Sequence, residues 1–167
     1  MSNEGIRKTA LWLRDLLNYD ESLMYLGRQN FEREDFETPY IVLDSLGAGS
    51  LKASNIDYDG DAEIHYLGLL YTLPIQIDFY GTTDAHPRAM KMIALRRSQL
   101  ARELQKTYKL SVYAPTNITD AKALTGQQYG ERIQVEMNVE YLHVENIDIL
   151  RIDEANIDKV WTSFFNE

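Results

Sequence analysis

Four residues in the first half of the chain have the spacing of a calcium-binding loop. Asn55, Asp57, Asp59 and Gly60 match the first six positions of an EF-hand loop, whose oxygen ligands suit a hard divalent cation. The twelfth position of such a loop supplies a bidentate glutamate, but here it is Tyr66. The flanking segments also have strand-like patterns. We therefore interpret residues 55–61 as an acidic surface turn, and the sequence leaves calcium binding open.

No other group of residues has the pattern of a catalytic or metal site. The three histidines are far apart and lack metal-binding spacing such as H-E-x-x-H: His65, His86 and His143. The segment from Gly47 to Ser50 resembles part of a phosphate loop, but no Gly-Lys-Ser/Thr follows. The G-x-S-x-G motif of many hydrolases is absent, and the chain has no cysteine. We expect no catalytic residues, no metal and no cofactor.

Composition restricts the class of protein further. The 167 residues include 17 basic and 26 acidic ones, so the net charge is −9, and 44% are hydrophobic. These values are typical of one globular domain, and the negative charge argues against a nucleic-acid-binding protein. The N-terminus lacks the pattern of a signal peptide, and no apolar run is long enough to predict a membrane span.

Hydrophobic periodicity predicts two helices that position the rest of the chain. The first follows the N-terminus, and its apolar residues recur on one face at Ile6, Ala10, Leu13 and Leu17. The second is long, begins after a predicted N-cap at Asp84 and continues towards Lys109. On a continuous helix its core-facing residues are Ala89, Ile93, Leu100 and Leu104.

Alternating apolar residues predict strands between and after these helices. The predicted strands begin at Tyr40, extend from Glu63 to Gly81, from Lys109 to Tyr113 and from Tyr129 to Tyr141, and include a short one at Ile147 and Ile149. Pro74 predicts that its strand lies at a sheet edge or carries a bulge. The fold class is therefore α+β, with a mixed or antiparallel sheet packed by a long helix plus an N-terminal helix. We predict a single domain over residues 1–167, with an N-terminal helix and acidic loop at 1–38 and a C-terminal tail at 153–167.

The second helix carries the most informative charge pattern. Between Arg88 and Lys109 there are seven basic residues and one acid. At about 3.6 residues per turn, five basic residues and a leucine share the face opposite the core: Arg88, Lys91, Leu95, Arg102, Lys106 and Lys109. A solvated outer face is one interpretation. The other is a contact surface for an acidic partner, and an identical subunit is the economical candidate, because a heterologous contact of this kind generates rings or filaments. Nucleic acid is the competing partner, although the overall negative field opposes it.

The order of elements and two sequence segments resemble a known family. The strand IQIDFYG at residues 75–81 precedes the second helix, and GERIQVEMNVEY at residues 130–141 forms the last long strand. Over residues 39–152 this layout resembles the neck and tail terminator proteins of tailed bacteriophages and prophages. The best anchors are Phe79-Tyr80-Gly81 at the end of one strand and Glu131-Arg132 at the start of the other.

This resemblance implies a non-enzymatic structural protein of the virion. Such proteins form a ring, usually a hexamer, on the head-proximal end of the completed tail tube, where they stop tube polymerisation. The implied partners are identical subunits, the tail tube protein and a head-side connector or stopper protein, with no membrane. Genomic DNA would pass through the lumen without specific binding, since an acidic ring repels it. The implied location is the head–tail junction, after assembly in the host cytoplasm.

Two other functions stay open at this point. A small hydrolase or transferase would need a deep pocket with convergent carboxylates whose pKa values are perturbed. An acidic inhibitor or immunity-type binding protein would be a stable monomer with one dense acidic face.

Overall fold

The α+β class and the mixed sheet are confirmed by a computed structural model that describes residues 2–27, 38–59, 64–121, 123–125 and 128–148. The helices are α1 (Ser2–Leu17), α2 (Ala85–Leu95) and α3 (Gln99–Thr107), with a short 3-10 helix at Glu21–Leu23. The strands are β1 (Met24–Leu26), β2 (Tyr40–Ser45), β3 (Ser50–Asp59), β4 (Ile64–Gly81), β5 (Leu110–Asp120), β6 (Ala123–Thr125) and β7 (Gln128–Asp148).

The long strands β4 and β7 lie side by side in the middle of the sheet. The order of neighbours is β1-β2-β4-β7-β5, while β3 pairs with β4 and β6 pairs with β7. β1 is parallel to β2, whereas β2 is antiparallel to β4 and β5 is antiparallel to β7. Side-chain contacts join Asp78 to Arg132 and Thr72 to Glu140, so β4 and β7 are also antiparallel. The strand that begins at Tyr40 and the two long strands are confirmed.

One face of the sheet packs against the helices and forms the core. Its fully buried residues include Leu73, Ile75, Ile77 and Phe79 from β4 and Ile133, Val135, Met137 and Val139 from β7. α1 contributes Ile6, Leu13 and Leu17, as its periodicity predicts, together with Trp12, which is completely buried. The Trp12 indole N–H donates to the Ala101 carbonyl over 3.4 Å and so links α1 to α3.

The segment predicted as one long helix is divided into α2 and α3. Ser98 is the N-cap of α3, where its hydroxyl accepts a hydrogen bond from the Ala101 N–H over 3.1 Å. A continuous helix would bury Leu100 with Ala89, but the interruption changes the phase of the second half. Ala101 is therefore buried, and Leu100 is 48% exposed. The predicted core position of Leu100 is wrong.

Four further sequence predictions are corrected by the structure. Asn55 to Asp59 belong to β3 and are extended, so the predicted turn does not include them. β4 lies between β2 and β7, so Pro74 is not on an edge strand, and the alternative of a bulge there stays a prediction. The Pro74 carbonyl accepts the Leu46 N–H, next to the last β2–β4 pair, Ser45 with Ile75. β5 continues past Pro115 with two register shifts. Ile147 belongs to β7 rather than to a separate strand.

The chain forms two compact units. The first comprises Met1–Ser54 and Leu69–His143, and it contains all three helices and the core described above. The second comprises Asn55–Gly68 and Val144–Glu167, and its described part consists of the ends of β3, β4 and β7. Residues 28–37, which belong to the predicted acidic loop, and the predicted tail at 153–167 lie outside the described residues.

Candidate assembly surface

Two helices and the turn after them hold the six residues predicted at a subunit interface. Arg88, Lys91 and Leu95 lie on α2, Arg102 and Lys106 lie on α3, and Lys109 lies in the turn before β5. Because residues 96–98 separate the helices, the six residues do not share one continuous helical face. Their local environments decide which of them can contact a partner.

Arg88 is occupied within its own subunit. Its guanidinium forms an ion pair with Asp84, one turn earlier on α2, and lies 5.0 Å from the centre of the Tyr19 ring. It also donates a hydrogen bond to the Tyr19 hydroxyl over 3.3 Å. The Arg88 side chain is only 14% exposed, so its role is to hold the start of α2 against the segment after α1. Asp84 occupies the N-cap position as predicted, but its side chain makes no capping hydrogen bond.

The other two predicted residues on α2, Leu95 and Lys91, differ from each other in exposure. Leu95 is half-buried and packs against the hydrophobic core, so it contributes to folding. Lys91 is exposed and borders a shallow concave surface with Leu17 and Pro87. Of the three predicted residues on α2, only Lys91 is available to a partner.

The three remaining residues line one open groove of about 460 Å³. Arg102 and Lys106 border it from α3, and Lys109 borders it from the turn that follows. The sequence analysis missed the other lining residues, which are Leu70 from β4, Gln105 from α3, Leu110 and Ser111 from β5, and Glu140 and Leu142 from β7. Two of them leave a detectable signal. Each of these leucines lies two residues from a polar residue on the same face of its strand: Leu70 from Thr72, and Leu142 from Glu140.

The groove is positively charged because its one carboxylate is already paired. Glu140 forms an ion pair with Lys52 and accepts a hydrogen bond from the Tyr113 hydroxyl over 2.7 Å. These two hydrogen bonds, with Lys52 the stronger influence, lower the pKa of Glu140 and keep it ionised. By contrast, the three groove cations have no carboxylate within 4.0 Å among the described residues. No carboxylate of the described residues would therefore compete with an acidic ligand for these cations.

Comparison with known families decides what kind of protein carries this surface. The family model of the phage neck terminator protein matches residues 8–162, which is nearly the whole chain. The chain belongs to the phage neck terminator family. Among curated proteins, no significant match was found. A phage neck terminator has a structural role in the virion, at the junction of head and tail.

The two sequence anchors of the resemblance meet on the open face of the terminator's sheet. The Arg132 guanidinium lies 5.5 Å from the centre of the Tyr80 ring and 3.1 Å from the buried carboxylate of Asp78. Tyr80 in turn stacks on Tyr40, with 4.6 Å between ring centres. A Cβ at Gly81 would contact a carboxylate oxygen of Asp84, so a larger residue there would require the Asp84 side chain to move. The anchors are therefore structural, since they hold β2, β4 and β7 together.

The calcium-loop match of this neck terminator does not fold as a loop in its described half. Asn55, Asp57 and Asp59 lie on β3, where they alternate along an extended chain. Within the described residues, no group of three or more His, Asp or Glu side chains is arranged to hold a metal ion. Of the histidines, His86 is exposed, whereas the His143 ring lies 2.5 Å from a Glu4 carboxylate oxygen. Over the same residues, no helix combines the length and apolar character needed to cross a membrane.

Proposed function

We propose that this neck terminator assembles into a ring at the head-proximal end of the tail tube. The ring, with six subunits as the expected number, would end tube polymerisation and bind the head-side connector or stopper protein. The family match over residues 8–162 carries this proposal. The groove supports the self-association step, because it combines the exposed Leu142 with three cations that have no ion-pair partner among the described residues, on a protein whose net charge is −9.

The charge distribution favours a ring over a two-fold dimer. A two-fold axis that passes through the groove would place groove against groove, and their like charges would repel. Contact between the groove of one subunit and an acidic surface of the next is attractive instead. Such a heterologous contact leaves one groove and one acidic surface free at the ends of any open chain of subunits, so it forms a ring where the rotation between subunits closes and a filament where it does not. The family match favours the ring.

The concave surfaces of the described residues do not favour the alternative of a carboxylate-based hydrolase. Each of three such surfaces contains one carboxylate, and each of these is ion-paired: Glu21 with Arg14, Asp84 with Arg88, and Glu140 with Lys52. A hydrolase of this class would need two convergent carboxylates. The acidic inhibitor alternative has no specific observation in its favour.

Tail tubes assembled with and without the protein test this proposal. Tube protein of the same phage is polymerised in both conditions, and tube length and tube ends are measured by electron microscopy. We expect a ring at one end of each tube and shorter, more uniform tubes. Light scattering over a range of concentrations should show a shift from 19.3 kDa towards roughly six times that mass. Tubes of unchanged length with bare ends would refute the proposal.

A further inference from the structure

Strand β5 forms one edge of the sheet, and its two halves differ in what covers that edge. Near its start, the Val112 N–H donates to the side-chain oxygen of Gln105, and the Val112 carbonyl accepts from the Arg96 guanidinium, each over 3.3 Å. Side chains of α3 and of the turn before it therefore occupy the outward backbone groups there. Two register shifts around Pro115 separate this half from the second one, Asn117–Asp120, which we call the free edge.

The free edge has outward backbone groups that no described residue occupies. The Ala121 N–H donates to the Arg132 carbonyl on β7 over 2.8 Å, so Ala121 faces β7. Inward and outward residues alternate along an antiparallel strand. The backbone N–H and C=O groups of Ile118 and Asp120 therefore point away from β7. A strand edge of this kind is a template for pairing with another chain.

Two side chains of the free edge lie on the helix side of the sheet. Ile118 lies opposite Val135 on β7. Asp120 lies opposite Ile133, and both of these β7 residues are buried on the face that packs against the helices. Nevertheless, Ile118 is 47% exposed, and Asp120 is exposed with no cation within 4.0 Å among the described residues. The free edge thus presents an apolar side chain and an unpaired carboxylate on one side.

A matching surface lies at the opposite edge of the sheet, where β1 packs beside α1. A cleft of about 270 Å³ opens there, and its apolar lining consists of Ala10, Leu11, Met24 and Leu26. Arg7 borders the cleft, is exposed and has no carboxylate within 4.0 Å among the described residues. The Gly27 N–H donates to the Leu43 carbonyl on β2, so the backbone groups of the preceding residue, Leu26, point away from β2.

We propose that the free edge of one copy of the chain pairs with β1 of the next copy and continues its sheet. The inference rests on the proposed ring, and it specifies two surfaces that form each subunit contact. A continued sheet keeps the helix sides of both copies aligned, so Ile118 of one copy enters the cleft of the next. Asp120 then pairs with Arg7. The groove borders the first half of β5 at Leu110 and Ser111, so one subunit contact can include both.

Charge and symmetry favour this occupant over a two-fold pairing of β5 with itself. Residues 110–119 carry no charge, so a second β5 strand would bring no cation to Asp120. The cleft beside β1 supplies one at Arg7, together with an apolar lining for Ile118. Contact between opposite edges of the sheet is also heterologous, as a ring requires, whereas β5 against β5 gives a closed dimer.

Charge reversal on both sides tests the contact in a double-mutant cycle. Arg7→Glu and Asp120→Lys each replace an attraction by a repulsion. Each alone should raise the protein concentration at which half of the tube ends carry a ring by about fivefold or more. The double variant restores the attraction with reversed signs and should return to within about twofold of the wild type. Lys91→Glu, an exposed position outside the cleft, is the matched control for Arg7→Glu and should cap tubes normally.

Cysteine crosslinking locates the contact, because the natural chain has no cysteine. Chains with Arg7→Cys and chains with Asp120→Cys are mixed on tail tubes, and also at high concentration without tubes, and treated with a short bis-maleimide. Because the contact is heterologous, we expect 7–120 linked dimers to exceed 7–7 and 120–120 dimers by about fivefold or more.

The possible results separate the two proposals. Rings on tube ends that lack the 7–120 link, or that neither single reversal affects, would overturn the edge contact and leave the terminator function intact. A preferred 120–120 link would overturn it in favour of a two-fold pairing, and a preferred link from residue 120 to the tube protein would overturn it in favour of tube binding. Linked 7–120 dimers in solution with bare tube ends would support the contact and refute the proposed function. Absence of both rings and links would overturn both.

Discussion

Lys109 combines a strained backbone with a charge in the groove, so its replacement separates stability from assembly. It follows the C-cap of α3, Tyr108, and its φ of 52° lies in the left-handed region. This is the position after a helix at which glycine is commonest. The turn is nevertheless fixed on both sides, because the Lys109 N–H donates to the Lys106 carbonyl and its own carbonyl accepts the Leu142 N–H, each over 3.2 Å.

Lys109→Gly should stabilise the subunit slightly while weakening assembly. The left-handed conformation costs a non-glycine residue about 1–2 kcal/mol, and replacement by glycine removes this cost. The greater freedom of glycine in the unfolded chain destabilises the folded variant by about 0.4–1 kcal/mol. We expect a net gain of about 0.5–1 kcal/mol, which raises the Tm of a domain of this size by about 1–4 °C. The lost charge pair is worth about 0.5–1 kcal/mol per contact. The dissociation constant for subunit association should therefore rise about two- to fivefold.

Thermal unfolding and sedimentation at concentrations up to about 1 mM measure the two effects. Lys109→Ala is the matched control, because it removes the same charge but keeps the strained conformation. It should weaken association as much as glycine does without raising the Tm. A glycine variant that unfolds several degrees below the wild type would refute the strain argument. Unchanged association in both variants would show that Lys109 does not contact a neighbouring subunit.

Three further predictions concern the fold that holds the groove. Arg132→Met should lower the free energy of unfolding in urea by about 2–3 kcal/mol, because it leaves the Asp78 carboxylate, 7% exposed, without its cation; a loss below about 0.5 kcal/mol would contradict this. Burial raises the pKa of Tyr80 from 10.0 to about 12, so the stability that depends on its neutral form is complete below pH 10 and is lost as the pH rises towards 12. Tyr80→Phe should flatten the alkaline limb of a pH–stability curve, and an unchanged limb would refute the assignment. Trp12→Ala should cost about 3–5 kcal/mol, because it leaves a cavity under Ala101, and a Tm within 2 °C of the wild type would show that α1 and α3 repack without it.

Strand and helix patterns in the sequence are reliable where a single period continues through an element. The alternation of Ile133, Val135 and Met137 predicts β7 correctly because one face of that strand is buried from Ile133 to Tyr141. The end of α2 is harder, because residues 96–98 include neither proline nor glycine. Ser98 is the one local signal of a new N-terminus, and it lacks the glutamate three residues later that would complete a capping box. The phase change that exposes Leu100 therefore cannot be recognised from periodicity.

The candidate site illustrates the same limit for side chains. The sequence identifies the basic segment, but it places Arg88 and Arg102 on one face, whereas only Arg102 borders the groove. Arg88 instead donates a hydrogen bond to Tyr19, which is 69 residues away in sequence. Such a contact has no local signature. Leu70 and Leu142 are detectable in principle as apolar residues at polar positions of an alternating strand. Their convergence depends on the antiparallel pairing of β4 with β7, which the order of elements alone does not specify.

A subunit contact made by the charges of the groove is weak in magnitude, and this weakness suits a terminator. Up to three charge pairs at the groove surface contribute at most about 3 kcal/mol. A micromolar dissociation constant requires about 8 kcal/mol after the entropic cost of association, so two isolated subunits should associate only at far higher concentrations. In the proposed ring, the tube end would hold six subunits side by side, and the high effective concentration would let each weak contact form. We therefore expect monomers in dilute solution and rings on tubes, with the ring more sensitive to salt than the tube. Stable rings at nanomolar concentration without tubes would refute this order of assembly and would require a larger subunit contact than the groove provides.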